Sequence, residues 1–156
     1  MQAITPFLWF DTEAEDAARF YVSLFPDSQL GAIARYGEAG PGAAGSVMTV
    51  AFELNGMSFV ALNGGPVYQF TEAFSLQVPC DDQAEIDRLW AALTEGGEES
   101  RCGWLKDRWG LSWQIIPSRL PQLIGGDDPR KARRALEAMF TMKKLDIAAL
   151  ERAREG

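Results

Sequence analysis

Histidine is absent from all 156 residues. That excludes Ser-His-Asp and Cys-His nucleophilic centres and imidazole metal ligation, and it removes the side chain that ordinarily moves protons near neutral pH. Cysteine is scarce. Cys80 and Cys102 stand alone and are expected to be reduced thiols, which makes the cytoplasm the expected compartment. Long apolar runs are lacking too. The longest uncharged stretch, Leu54 to Thr71, is interrupted by Gly56, Gly64, Gly65, Pro66, Asn55 and Asn63, so no membrane span is expected. The opening Met1-Gln-Ala-Ile places no basic residue ahead of an apolar run, and no secretory leader is expected. Basic charge is in short supply, with 15 Lys and Arg against 22 Asp and Glu for a net charge of −7. Such a chain repels phosphate, so no nucleic-acid partner is expected.

What remains is an ordinary globular composition, 47% hydrophobic and 24% charged, long enough for one domain with its own core. The charge is uneven. Residues 1–128 carry seven basic and eighteen acidic side chains, whereas residues 129–156 carry eight basic and four acidic. The basic end reads either as a solvated helix face or as a segment docking on an acidic body, its own or a partner's.

Two phrases nearly repeat: "GMSFVALN" at residues 56–63 and "GLSWQIIP" at residues 110–117. Ahead of the first, "ITPFLWF" has strand composition and Thr12-Glu-Ala-Glu15 reads as a capping box. It opens a helix with Ala17, Phe20, Tyr21 and Leu24 on one face, stopped by Pro26. "QLGAIARY" and "SVMTVAFEL" are strands, and Asn55-Gly56 is a hairpin turn into "MSFVALN". Ahead of the second, "AFSLQVP" (73–79) is a strand and Asp82-Gln-Ala-Glu85 repeats the capping pattern. The next helix carries Ile86, Leu89, Trp90 and Leu93 on one face and ends at Gly96-Gly97. A strand near Glu98 is very short, and "SRCGWLK" and "LSWQIIP" follow. Both halves therefore read β-α-β-β-β, with Glu15 answering to Glu85 and Gly56 to Gly110. The expected architecture is α+β, one domain of two βαβββ modules at 1–66 and 67–117 plus C-terminal helices in 118–156. Asp128-Pro129 opens one of those helices, with Ala132, Ala135, Leu136 and Met139 on one face, and Asp146 caps the last.

Paired βαβββ modules resemble the vicinal oxygen chelate superfamily, which includes glyoxalase I, bleomycin-resistance proteins and extradiol dioxygenases. Within it, "ITPFLWFDTEAEDAARFYVSLFPDSQL", "LNGGPVYQFTEAFSLQV", "RCGWLKDRWGLSWQIIP" and "MKKLDIAALERA" resemble the PhnB-like family, also labelled 3-demethylubiquinone-9 3-methyltransferase-like. The resemblance implies a cleft formed by each curled sheet. In metal-using members four ligands come from the first and last strands of each module. Those places fall near Thr5, Val60, Ala73 or Ser75, and Gln114, where only Gln114 has ligand character. Family sequences often carry a His just after "GGP", and here that residue is Val67. No metal and no cofactor are expected. The label also implies S-adenosylmethionine. Gly40-Pro-Gly42-Ala-Ala-Gly45 matches G-x-G-x-x-G, yet a strand follows it where a cofactor loop needs a helix, so it reads as a flexible loop.

Strand alternation puts Thr5, Phe7 and Trp9 on one face, and Ser112, Gln114 and Ile116 on one face. If the ligand-equivalent positions face the cleft, Thr5, Trp9, Gln77, Trp104 and Gln114 line it. Alternation alone leaves open whether Cys102 and Trp104 or Arg101, Gly103 and Leu105 point inward. Trp9, Trp104 and Trp113 read first as core residues, and Gln114 reads also as a hydrogen-bonding partner within the sheet. Two catalytic candidates exist. Glu53, the one carboxylate well inside a strand, would serve as a general base if its pKa were raised, or is an edge-strand surface residue. Cys102 beside Arg101 is either a favoured thiolate or a plain buried thiol. The expected function is binding of a small organic ligand in the sheet cleft. The alternatives are an enzyme on such a substrate, or a sequestering protein holding a cation in an aromatic, acidic groove. A homodimer is expected, with the basic helical end reaching across to the partner.

Overall fold

The computed structural model describes residues 1–156, and the chain divides into two compact units, Met1–Phe70 and Thr71–Gly156. In the first, β1 (Phe7–Phe10), α1 (Ala14–Leu24), β2 (Gln29–Arg35), β3 (Val47–Leu54) and β4 (Met57–Asn63) form a sheet of order β1-β4-β3-β2. β1 runs parallel to β4 with Phe7 opposite Val60, and β3 and β4 make an antiparallel hairpin. Asn55 (φ 48°) and Gly56 (φ 79°) turn that hairpin in the left-handed conformation the dipeptide favours. α1 covers one face. Its buried Ala14, Ala17, Ala18 and Tyr21 lie on the side that also buries Leu8, Phe10, Phe52 and Phe59 of the strands.

The capping box expected at Thr12 does not form. Glu13 occupies the cap position with no side-chain cap bond, and the Ala14 N–H donates instead to Asn63 Oδ1 at 2.8 Å. Asn63 is held in place by donating through Nδ2 to the Val47 carbonyl. A neighbouring strand end supplies the acceptor that the local pattern would have supplied.

The second unit repeats the order. β5 (Ser75–Cys80), α2 (Gln83–Thr94), β6 (Glu98–Glu99), β7 (Trp104–Lys106) and β8 (Ser112–Pro117) form a sheet of order β5-β8-β7-β6, with β5 parallel to β8. Here the box closes. Asp82 Oδ1 accepts from the Glu85 N–H at 2.8 Å, and Glu85 Oε2 accepts from the Asp81 N–H at 2.9 Å. Ile86, Leu89, Trp90 and Leu93 are all buried, as their spacing predicts.

Three strand expectations shorten. β1 begins at Phe7 rather than Ile4, past Pro6, which has no N–H to give a sheet. β5 begins at Ser75, because Thr71–Phe74 is a turn in which the Ala73 N–H donates to Thr71 Oγ1. The strand expected from Ser100 is confined to Trp104–Lys106, because Cys102 (φ 57°) and Gly103 (φ 85°) turn the chain. A side chain at Gly103 would meet the Ile115 carbonyl oxygen at 2.7 Å, so this close approach admits only glycine.

α3 (Leu120–Ile124), α4 (Pro129–Met139) and α5 (Ile147–Glu155) follow, with Asp128 and Asp146 capping α4 and α5 as expected. Leu123, Met139, Leu145 and Leu150 bury themselves with Ile116 of β8. The Cys102 and Gly103 N–H groups donate to the Met142 and Lys143 carbonyls, and Gln83 of α2 bonds both the Leu145 carbonyl and the Ile147 N–H. The basic end thus docks on its own unit, one of the two bodies that the charge pattern offered it. Much of its charge is engaged locally. Arg134 donates to the Ala153 and Arg154 carbonyls at the end of α5, and Arg154 to the Leu123 and Gly125 carbonyls at the end of α3. Cations there satisfy the bare carbonyls and oppose the negative helix end. Lys144 pairs with Asp87, and Arg119 with Glu151.

Candidate functional site

Each sheet has one face under its helix and one face that the helix leaves open. In the second unit the register fixes what stands on the open face. Gln77, Gln114 and Trp104 are cross-strand partners in one row over β5, β8 and β7, and Ser75, Ser112 and Lys106 form the next row. Leu105 and Trp113 are buried partners facing the other way. This settles the alternative left by the sequence for β7: Trp104 and Lys106 share the Gln114 face, and Leu105 does not.

The row is internally bonded. Gln77 Nε2 donates to Gln114 Oε1 at 3.3 Å, and Gln114 Nε2 donates to Ser75 Oγ at 2.9 Å. Gln77 is exposed, while Gln114 and Trp104 are half-buried. At one end of this face Ile116 is covered by the C-terminal helices. At the other, Lys106 Nζ lies 2.6 Å from Glu72 Oε1, next to a cavity of about 110 Å³ whose walls include Trp104, Lys106 and Ser112. The Lys106 hydrogen bond lowers the Glu72 pKa, and the same bond raises that of Lys106. Ser112 is 1% exposed and its hydroxyl has no hydrogen-bond partner.

The rigid bracket beneath this end is Asp107, a buried carboxylate that the pattern of strands gave no reason to single out. Its Oδ1 accepts from the Trp109 and Leu111 N–H groups, and its Oδ2 accepts from Trp113 Nε1 at 2.9 Å. Several donors on one carboxylate compensate the cost of burying it. They fix the turn joining β7 to β8, and with it the spacing of Lys106 and Ser112.

Thr5 and Trp9 lie in the first unit. Thr5 borders a shallow groove of about 300 Å³ with Gly31, Ala51, Glu53, Ser58 and Val60. Trp9 is tied down: its Nε1 donates to the Gly65 carbonyl at 2.9 Å, and its ring meets Tyr68 edge-on at 5.0 Å. Glu53 accepts from Gln29 Nε2 at 3.0 Å on the β2 side of the sheet. Cys102 does not share the Trp104 face. It sits in the turn before β7, its Sγ 3.6 Å from the Met139 carbonyl of α4, packed against the helical cluster. Cys80 is fully buried, and burial pushes its thiol up to about 12, so it stays protonated.

A larger cavity of about 520 Å³ lies in the first unit, lined by Asp11, Glu15, Asp16, Tyr36, Asn63 and the 41–43 loop among others. Gly40 and Gly42 at that loop pack on a ring: a side chain on Gly42 would meet Tyr36 Cδ2 at 2.2 Å. Tyr36 Oη donates to the Asn63 carbonyl at 2.5 Å. The sequence signal was Asp11, Glu15 and Asp16 together with the glycine run, but only the folded loop turns them into one wall.

The residues present fit neither group that the resemblance brings with it. At the ligand-equivalent positions Val60 has no donor atom, and Gln114 offers one neutral amide oxygen that already accepts from Gln77. Nowhere do three or more Cys, Asp or Glu side chains gather closely enough to hold a metal ion. The glycine run precedes β3 and offers no helix N-terminus to a nucleotide-like methyl donor.

A sequence model of 3-demethylubiquinone-9 3-methyltransferase matches residues 2–116. The helical end that also carries the PhnB-like phrase lies beyond that match. A PhnB protein from Bacillus cereus, described provisionally as a 3-demethylubiquinone-9 3-methyltransferase, is 38% identical over 74% of this chain and 99% of its own, with a TM-score of 0.68. Protein PA1353 from Pseudomonas aeruginosa is 22% identical over 75% of this chain and 98% of its own, with a TM-score of 0.62. The fosfomycin resistance protein FosX from Mesorhizobium loti shares the fold at 13% identity, over 78% of this chain and 94% of its own, with a TM-score of 0.54. No curated protein matches the chain.

Proposed function

Because this chain belongs to the PhnB-like, 3-demethylubiquinone-9 3-methyltransferase family of the glyoxalase, bleomycin-resistance and dioxygenase superfamily, we propose that it binds a small organic molecule on the open face of its second sheet, against Gln77, Trp104 and Gln114. The observation that carries this reading is the in-register row itself. Two amides that can donate or accept stand beside an indole on a face the helix leaves uncovered. Sites for small ligands combine an apolar wall with a few placed polar groups in this way. Without a histidine, a metal-ligand set or a methyl-donor loop, binding is better supported than turnover.

The test is NMR titration with a fragment mixture. The side-chain amides of Gln77 and Gln114 and the Trp104 indole are expected to shift together, with the response lost in Gln114→Ala. Shifts confined to Tyr36 and the 41–43 loop would instead favour a second reading, a cation held in the acidic cavity of the first unit, for which Asp11, Glu15 and Asp16 are the supporting observation. S-adenosylmethionine, titrated calorimetrically, is expected to give no saturable heat at micromolar concentration. The same reading includes a cytoplasmic chain, supported by its two free thiols, that avoids nucleic acid through its net charge of −7. It also includes a homodimer, supported by Phe7 and Met57, which are exposed on the first unit. Sedimentation equilibrium would read that state directly. No helix is long and apolar enough to cross a membrane.

A further inference from the structure

Ser112 and Lys106 are cross-strand partners on the open face of the second sheet, which puts their side chains within reach of one common group. The Ser112 hydroxyl is 1% exposed and has no hydrogen-bond partner. A buried hydroxyl left in that state is costly and calls for an explanation, of which a binding or catalytic role is one. The adjoining cavity of about 110 Å³ also has Trp104 in its wall, and Trp104 belongs to the row with Gln114 and Gln77. The cation of this cavity is Lys106. Its ammonium is met at 2.6 Å by Glu72, which projects from the turn ahead of β5 and is 63% exposed at its side chain.

We propose that Lys106 and Ser112 form the seat for the carboxylate of an organic anion whose body lies along Trp104 and Gln114, and that the Glu72 carboxylate holds this seat in the unliganded chain and swings out when the ligand enters. This rests on the reading above and names its ligand class. Glu72 is an internal stand-in for the ligand's head group: it brings the same charge to the same ammonium, and being exposed it returns to water at little desolvation cost. The other carboxylates at this cavity do not compete in the same way. Glu99 accepts from Trp90 Nε1 at 2.8 Å and faces Lys143 at 3.7 Å, while Glu98 is an exposed residue opposite Lys106 on β6. A ligand carboxylate that displaces Glu72 restores the charge balance at Lys106 and gives the Ser112 hydroxyl an acceptor. The ligand's affinity is lowered by the fraction of time Glu72 occupies the seat.

The experiment is benzoate titration of the full chain, read by the Trp104 indole and Gln114 amide resonances, with benzylamine as the cationic control. Glu72→Gln is expected to tighten benzoate about fivefold, the ceiling for an exposed pair. Glu98→Gln, which removes the same charge without removing the stand-in, should tighten it much less. In the Glu72→Gln background, Lys106→Met and Ser112→Ala should each weaken benzoate about fivefold or more. Equal gains from Glu72→Gln and Glu98→Gln, an unaffected Ser112→Ala, or benzylamine binding as well as benzoate would each overturn the proposal. If benzoate shifts the Gln77, Gln114 and Trp104 row without dependence on Glu72, only this inference fails. If no fragment shifts that row, the reading beneath it fails as well.

Discussion

The two units run through the same elements in the same order, yet they are finished by different means. The first takes the cap of α1 from Asn63 on another strand, and turns its β3–β4 hairpin on the two residues Asn55 and Gly56. The second caps α2 with its own Asp82, builds the β7–β8 turn on the buried Asp107, and carries a coat of three helices. The difference teaches that a repeated strand and helix pattern transmits topology but not contacts. Parallel edge strands joined to an antiparallel hairpin under a helix can be secured locally or from a distance. In this chain the unit secured by more specific devices also carries the better-formed polar row.

Removing the helical coat should separate the units most sharply. Deleting residues 127–156 uncovers Leu123 and Ile116 and discards Leu145 and Leu150, which are fully buried. Two such leucines alone are worth about 4 kcal/mol. Hydrogen exchange is expected to show lost protection in β5, β7 and β8 with β1, β3 and β4 retained. Equal protection in both units would mean that the coat is an accessory. A smaller but still large contrast lies in the hairpins. Asp107→Ala strands several buried N–H groups and should cost about 3 kcal/mol by urea unfolding. Asn55→Ala, which loses only a left-handed preference, should cost about 1 kcal/mol. The caps come next. Asp82→Ala and Asn63→Ala should each cost about 1 kcal/mol, while Thr12→Ala, the residue the local pattern points to, should be nearly silent. A measurable loss at Thr12 would restore the local box. The smallest effect is at Ser112. In the absence of ligand Ser112→Ala should raise stability by up to about 1 kcal/mol, since it removes a hydroxyl that the protein does not pair. A drop of similar size would mean that the hydroxyl is already satisfied in the resting chain.

Much of the architecture was legible in the residues themselves. The 3.6-residue spacing of Ile86, Leu89, Trp90 and Leu93 names a buried helix face, and the alternation of β8 separates Trp113 and Ile115 from Ser112 and Gln114. Both are properties of neighbours along the chain, which is why they can be read without a structure. The recurring capping and hairpin patterns carried the topology for the same reason. Of the residues expected to line one cleft, Gln77, Trp104 and Gln114 stand together in the second unit, and Thr5 and Trp9 in the first. Cys102 was legible as a thiol, but its direction was not, because a left-handed turn at φ 57° breaks the alternation on which that reading depends.

By itself, then, the sequence determined two βαβββ modules, the helices that follow them, and the exclusion of every mechanism that needs histidine. Tertiary structure alone decided that Asn63 rather than Thr12 starts α1, that the basic end binds its own unit, that the 41–43 loop walls an acidic cavity, and that Ser112 faces Lys106 beneath Glu72. The physical reason is range. Periodicity and caps act within a turn or two of chain, whereas these contacts join residues brought together by strand register and helix docking, which no local pattern encodes.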